Sequence, residues 1–174
     1  MDLFEAIHTR RSIRSFTPDP VSEEALREVL RAGMAAPSAG NGQPWHFVIV
    51  DDRAVLDAIP DIHPHAAMCR QAPAAIVVAA ELALEKFPGY GYWMLDCAAA
   101  VENMLLAARG LGLGTVWCGI CPRPERMQGL AKLLKLPPGV EAHALVVIGH
   151  PGPQATFHRA EGRDKPERIH HNAW

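Results

Sequence analysis

The apolar positions of this 174-residue chain fall into distinct periods. In MDLFEAIHTR, residues 1–10, Leu3, Phe4 and Ile7 recur at helical spacing, which predicts a short helix with those three on one face. VSEEALREVLRAGMAAPS, residues 21–38, predicts a second helix. Ser22 is its N-cap, Glu23 and Glu24 occupy the positive first turn, and Val21 is placed to act as a staple. Leu26, Val29, Leu30 and Met34 form its stripe, and Pro37 stops it. A polar, glycine-containing loop, SAGNGQPW, leads into a strand, HFVIV, that ends in the turn DDR. Residues 52–72 are weakly patterned and predict a short helix and a loop.

The second half is more strongly patterned. PAAIVVAAEL is an unbroken apolar run, the mark of a buried strand, and FPGYGYW is a turn-rich aromatic loop. WMLDCAAAVENMLLAARGLG, residues 93–112, is apolar around most of its circumference and rich in alanine. Such a helix is buried on several sides or packs on a second subunit. GTVWCGI predicts a strand, PERMQGLAKLLKL an amphipathic helix, and VEAHALVVIGHP a last strand. Residues 151–174 are polar and lack a core pattern, yet end on Trp174. There is no internal repeat, low-complexity segment or linker, so residues 1–174 are expected to form a single domain. Helices alternate irregularly with about four strands, which implies an α+β or three-layer α/β/α protein.

Composition narrows the classes. Hydrophobic residues make up 49% and charged residues 21%, the balance of a soluble globular chain. The formal net charge of −2 argues against a nucleic-acid partner, which needs a basic face. No apolar run reaches the ~20 residues of a membrane span, and the N-terminus lacks the apolar core of a signal peptide. Four cysteines are too few for a disulfide scaffold, so a reducing cytoplasm is the expected location.

Three stretches carry candidate chemistry. WCGIC, residues 117–121, spaces Cys118 and Cys121 as in a dithiol site. A redox dithiol should open a helix directly after a strand, and here Pro122 intervenes. A zinc site needs further ligands at chelating spacing. Cys69 and Cys97 stand alone, and His170 and His171 are adjacent. The cysteines therefore read as small, partly buried residues. RRSIRSF, residues 10–16, gathers Arg10, Arg11, Ser12 and Arg14. Guanidinium groups and a serine hydroxyl suit a phosphate, and in an extended segment Arg10, Ser12 and Arg14 would share a face. Taken alone, such a run is more often a solvated basic stretch. APSAGNGQPWHFVIV, residues 36–50, offers Ser38, Asn41 and Gln43 as polar groups, with Gly40 and Gly42 permitting close backbone approach to a flat ligand.

Together these segments resemble the FMN-dependent nitroreductase family: R-R-S-x-R-x-F, then A-P-S-x-x-N-x-Q-P-W-x-F and a strand. GLGLGTVW and the tail GRDKPERIHHNAW are similar to the family's second half and close, so the resemblance spans essentially the whole chain. It implies a mostly antiparallel sheet flanked by helices, and a homodimer with residues 93–110 in its core and residues 151–174 extended over the partner. It implies an FMN phosphate held by Arg10, Arg11, Ser12, Arg14 and Arg163. Pro37, Ser38, Ala39, Gly40 and Asn41 would line the isoalloxazine from the other subunit, and Trp117, Cys118 and Gly119 would run along the ring. In larger members residues equivalent to 61–72 add cofactor contacts, for which Arg70 is the candidate here. The implied activity is NAD(P)H-dependent reduction of a small-molecule acceptor, a nitroaromatic or quinone, by a ping-pong scheme through the flavin with no catalytic side chain. Alternatives on the same scaffold are dehalogenation, enone reduction, flavin degradation, or a flavin-binding redox sensor using Cys118 and Cys121.

Overall fold

A computed structural model describes residues 1–174. Helices α1 (Leu3–Thr9), α2 (Glu23–Met34), α3 (Arg53–Ile62), α4 (Tyr92–Gly110) and α5 (Pro124–Leu134) surround strands β1 (Trp45–Val50), β2 (Ala74–Glu81), β3 (Gly114–Gly119) and β4 (Val140–Gly149). The sheet order is β1-β2-β4-β3, and every neighbouring pair is antiparallel.

β2 and β4 are the apolar runs because both their faces are covered. Ile76, Val78, Ala144 and Val146 meet α2 and α4, burying Leu26, Val29, Val101 and Met104. Ala75, Val77, Leu145 and Val147 meet α3 and α5, burying Leu56, Ile59 and Leu130. Two cores on one sheet make the three-layer α/β/α arrangement. The period of two breaks once: Val78 opposes Ala144 but Ala79 opposes Ala142, so His143 is the extra residue of a bulge.

Local chemistry explains the helix ends. Ser22 Oγ accepts the Ala25 N–H at 3.2 Å, as expected of the N-cap. Asp52 Oδ1 accepts the Ala54 N–H at 2.8 Å and caps α3; each such cap is worth ~1 kcal/mol. α3 is more regular than the sequence promised, because Pro60 sits inside it and masks its period. No helix is long and apolar enough to cross a membrane.

One face is turned the other way. Leu3, Phe4 and Ile7 are exposed, while α1 buries Ala6 and Thr9. α4 behaves similarly in part: Cys97, Ala100, Val101, Met104 and Ala108 are buried, but Leu95 is exposed and Leu106 half-buried.

Candidate functional site

The arginine–serine segment is fastened to the free edge of β3. The Ile13 N–H donates to the Thr115 carbonyl at 2.8 Å, and Ile13 and Phe16 are buried as apolar anchors. Gly114 allows the approach, since a Cβ there would stand 2.8 Å from the Ile13 side chain. On its other side the segment is tied to the chain after β4: the Gly152 N–H donates to the Ser15 carbonyl at 2.8 Å. Held by these ties, Arg11, Ser12, Arg14 and Ser15 open into a cavity of about 600 Å³, closed by Gln154, Thr156, His158 and Arg163.

No carboxylate lines this cavity. Arg11 Nη1 donates to the Arg10 carbonyl at 2.5 Å, while its Nη2 is sealed from solvent without a protein partner. Burial, then the charges of Arg163 and Arg10, pull the Arg11 pKa below its usual value. Arginine does not shed its proton in practice, so the cluster holds uncompensated positive charge and an unmade hydrogen bond. An anion with several acceptor oxygens would compensate that charge.

Arg10 does not join them. It is the C-cap of α1, and its guanidinium lies 3.7 Å from Glu102 of α4. The alternation expected of an extended segment fails there because the helix runs to Thr9 and Arg10 still donates its N–H to Ala6.

Arg14 also lines a second recess of about 480 Å³, with His63, His65, Arg126 and the Val116–Gly119 stretch of β3. The Thr115 carbonyl points outward to Ile13, and the Gly119 carbonyl points outward to Arg126 Nη1 at 2.8 Å. Alternate residues of a strand direct their backbone groups to one side, so the N–H groups of Trp117 and Gly119 face this open edge. Cys118 instead packs into the core beside Ile120. Burial pushes its thiol up to about 11, and Cys121 is pushed up by burial as well. α5 begins only at Pro124. Both features oppose a reactive dithiol.

Behind β3 the bulged His143 lies between two indoles, 6.0 Å from Trp93 and 6.1 Å from Trp117 by ring centroids. It is 7% exposed, its Nδ1 has no partner, and burial pushes its pKa down to about 4.

Pro37–Asn41 lie apart from both cavities. Gly40, Asn41 and Gln43 all have positive φ. The loop is braced by Ser38 Oγ, which accepts the Gln43 N–H at 3.0 Å, and by Asp96 of α4. Asp96 is 6% exposed, and its Oδ1 accepts the Ala39 N–H at 2.9 Å. Trp174 is fully exposed and stacks only on His170. Arg70 pairs with Asp61 at 3.0 Å and does not line the recess; His63 and His65 take that place from the same region.

The family model "Nitroreductase family" matches residues 7–69 and 63–150. The chain belongs to the nitroreductase family. This nitroreductase-family chain is 44% identical over 173 residues to an Archaeoglobus fulgidus protein named "Putative NADH dehydrogenase/NAD(P)H nitroreductase", covering 99% of both chains. A Parabacteroides distasonis structure of the same name superposes at TM-score 0.90 with 37% identity, over 99% of this chain and 98% of that one. A Desulfovibrio desulfuricans protein solved "in complex with fmn" matches at TM-score 0.82 and 32% identity, over 100% and 98%. The family match takes in the arginine–serine segment, the 37–41 loop and β3, and ends before Arg163.

Proposed function

We propose that this chain is a single-domain, cytoplasmic NAD(P)H-dependent FMN oxidoreductase that works as a homodimer and reduces nitroaromatic, quinone or similar acceptors. The observation that carries the reading is the acid-free cavity lined by Arg11, Arg14 and Arg163, which adjoins at Arg14 the recess on the free backbone edge of β3. The residues fit the group. Arg11, Ser12, Arg14 and Arg163 would hold the phosphate, joined by Ser15 and Thr156, which lack a sequence signature. Trp117, Cys118 and Gly119 would lie along the ring. Arg10 acts at one remove, adding positive charge next to Arg11.

Bound FMN would supply the redox chemistry, a two-electron exchange between NAD(P)H and the acceptor. The chain binds, orients and tunes it. The arginines neutralise the phosphate. The outward N–H groups of Trp117 and Gly119 offer fixed donors to the ring's polar edge, as oxyanion-hole donors do for developing charge. No side chain of either cavity is required as nucleophile or base.

The second subunit supplies what one chain leaves open. The exposed face of α1 and the residual apolar surface of α4 suit a second copy. Packing there would bring Pro37–Asn41 of one chain onto the flavin of the other, and carry the exposed tail and Trp174 over the partner. The thiol pKa values and the late start of α5 favour the enzyme over a cysteine redox sensor.

The test is the visible spectrum of the purified protein with identification of the released chromophore. FMN at about one per subunit supports the reading; a colourless protein that ignores added FMN contradicts it. Arg11→Ala sharpens the result. A charge-assisted bond is worth ~1.5–3 kcal/mol, so FMN affinity should fall roughly 10- to 100-fold while riboflavin, lacking the phosphate, binds unchanged.

A further inference from the structure

His63, His65 and Arg126 belong to none of the motifs that place the phosphate and ring, yet they wall the recess into which β3 presents its free edge. They arrive from three places: the end of α3, the 3₁₀ segment Pro64–Arg70, and the first turn of α5. Together with Arg14 they form a recess without a carboxylate.

Arg126 is fixed at one nitrogen. Its Nη1 donates to the Gly119 carbonyl at 2.8 Å and lies 3.2 Å from His63 Nε2. A guanidinium carries five N–H donors in a planar fork, so these two contacts leave the remaining donors for a ligand. His63 is 3% exposed, and its Nδ1 has no partner. Burial, followed by the charges of Arg126 and His65, holds its pKa below the ordinary value. A neutral His63 accepts at Nε2, and this seats the guanidinium beside the Gly119 carbonyl.

Arg14 lines both cavities, so the two adjoin at its side chain, and a ligand anchored by its phosphate in the first would extend past Arg14 into the second. On the reading of the cofactor given above, the part that arrives there is the polar edge of the isoalloxazine. Reduction places negative charge on that edge. A cation facing it favours the reduced ring over the oxidised one by Coulomb attraction strengthened in a half-buried site.

We propose that Arg126, seated by His63, faces the N1–C2=O edge of the bound flavin and binds the reduced form more tightly than the oxidised one. Arg126 would be a cofactor-binding residue and His63 a positioning residue.

The experiment is the midpoint potential of FMN bound to the full-length protein, measured for the wild type, Arg126→Gln, Arg126→Lys and His63→Gln, with FMN affinity measured in parallel. Arg126→Gln should lower the ratio of reduced to oxidised affinity about tenfold, which for a two-electron couple is about 30 mV. Arg126→Lys keeps the charge and should recover most of that ratio. His63→Gln should lower it by a smaller factor, with its melting temperature unchanged. The proposal is overturned if Arg126→Gln leaves the ratio unchanged, or weakens both redox forms equally, while the wild type binds FMN normally. A wild type that binds no FMN overturns the cofactor reading, and this proposal with it.

Discussion

Arg11, Ser12, Arg14 and Arg163 meet in one cavity of a single chain, whereas Pro37–Asn41 reach neither cavity on β3. The first group is nearly complete as it stands: charges converge, no carboxylate offsets them, and backbone bonds on two sides hold the segment. The second group is equally well built but aims elsewhere. Three features fix it, namely the positive φ values, the Ser38 brace and the buried Asp96. In the proposed homodimer this loop would find its ligand surface on the second copy. Leu3, Phe4 and Ile7 of α1 and Leu95 of α4 are the exposed apolar residues such a copy would cover.

The largest effect expected from this contrast is on assembly. Leu95→Glu puts a charge on the apolar face of α4, and burying an unpaired charge costs several kcal/mol. Sedimentation should show the proposed dimer weakened by at least about a hundredfold, and FMN should be lost with it, although no residue of the phosphate cavity has changed. A monomer that keeps its FMN would show that one chain suffices.

His143 sits between Trp93 at the start of α4 and Trp117 on β3. Its pKa falls from 6.5 to about 4 on folding. Above pH 6.5 the imidazole is neutral in both folded and unfolded chains. As the pH drops below that, only the unfolded chain takes up the proton, so stability falls with falling pH. At about 1.4 kcal/mol per unit, the loss approaches ~3 kcal/mol by pH 4. Denaturant titrations from pH 7 to 4 should show this slope in the wild type, and His143→Leu should flatten it. An equal slope in the variant would place the acid sensitivity elsewhere.

Asp96 gives a smaller effect. Asp96→Ala removes the acceptor of the Ala39 N–H and should weaken FMN binding by about tenfold through the loop. Asp96→Asn keeps an acceptor oxygen and should restore most of it. If both variants bind FMN like the wild type, the loop does not contribute.

Much of the fold is legible in the sequence for physical reasons. β2 and β4 are covered on both faces, so their runs are continuous, and Ser22 caps α2 with the group its position predicts. α1 was legible as a helix but not in its orientation, because an apolar stripe has the same period whether it meets its own core or another chain. Of the arginine run, Arg11, Ser12 and Arg14 reach the cavity, while Arg10 is held by the end of α1. His63, His65 and Arg126 left no signal, since they converge from three elements and no spacing links them. Thr156 and His158 were hidden in a tail without a core pattern. Only the fold brings that tail back across the arginine segment.

In the proposed homodimer each flavin site would draw its phosphate cavity from one chain and its ring-facing loop from the other. Two variants test it directly. Arg11→Ala with Arg163→Ala disables the cavity, and Gly40→Val disables the loop. Gly40 has φ +56°, and a Cβ there would press to 3.0 Å on Lys86. Neither variant alone should hold FMN. After unfolding and refolding together, about half the dimers are mixed, and each mixed dimer has one intact cavity facing one intact loop. Flavin absorbance should then return to about a quarter of the wild-type amount per subunit. A mixture that stays colourless, while the refolded wild type regains its flavin, would contradict the shared site.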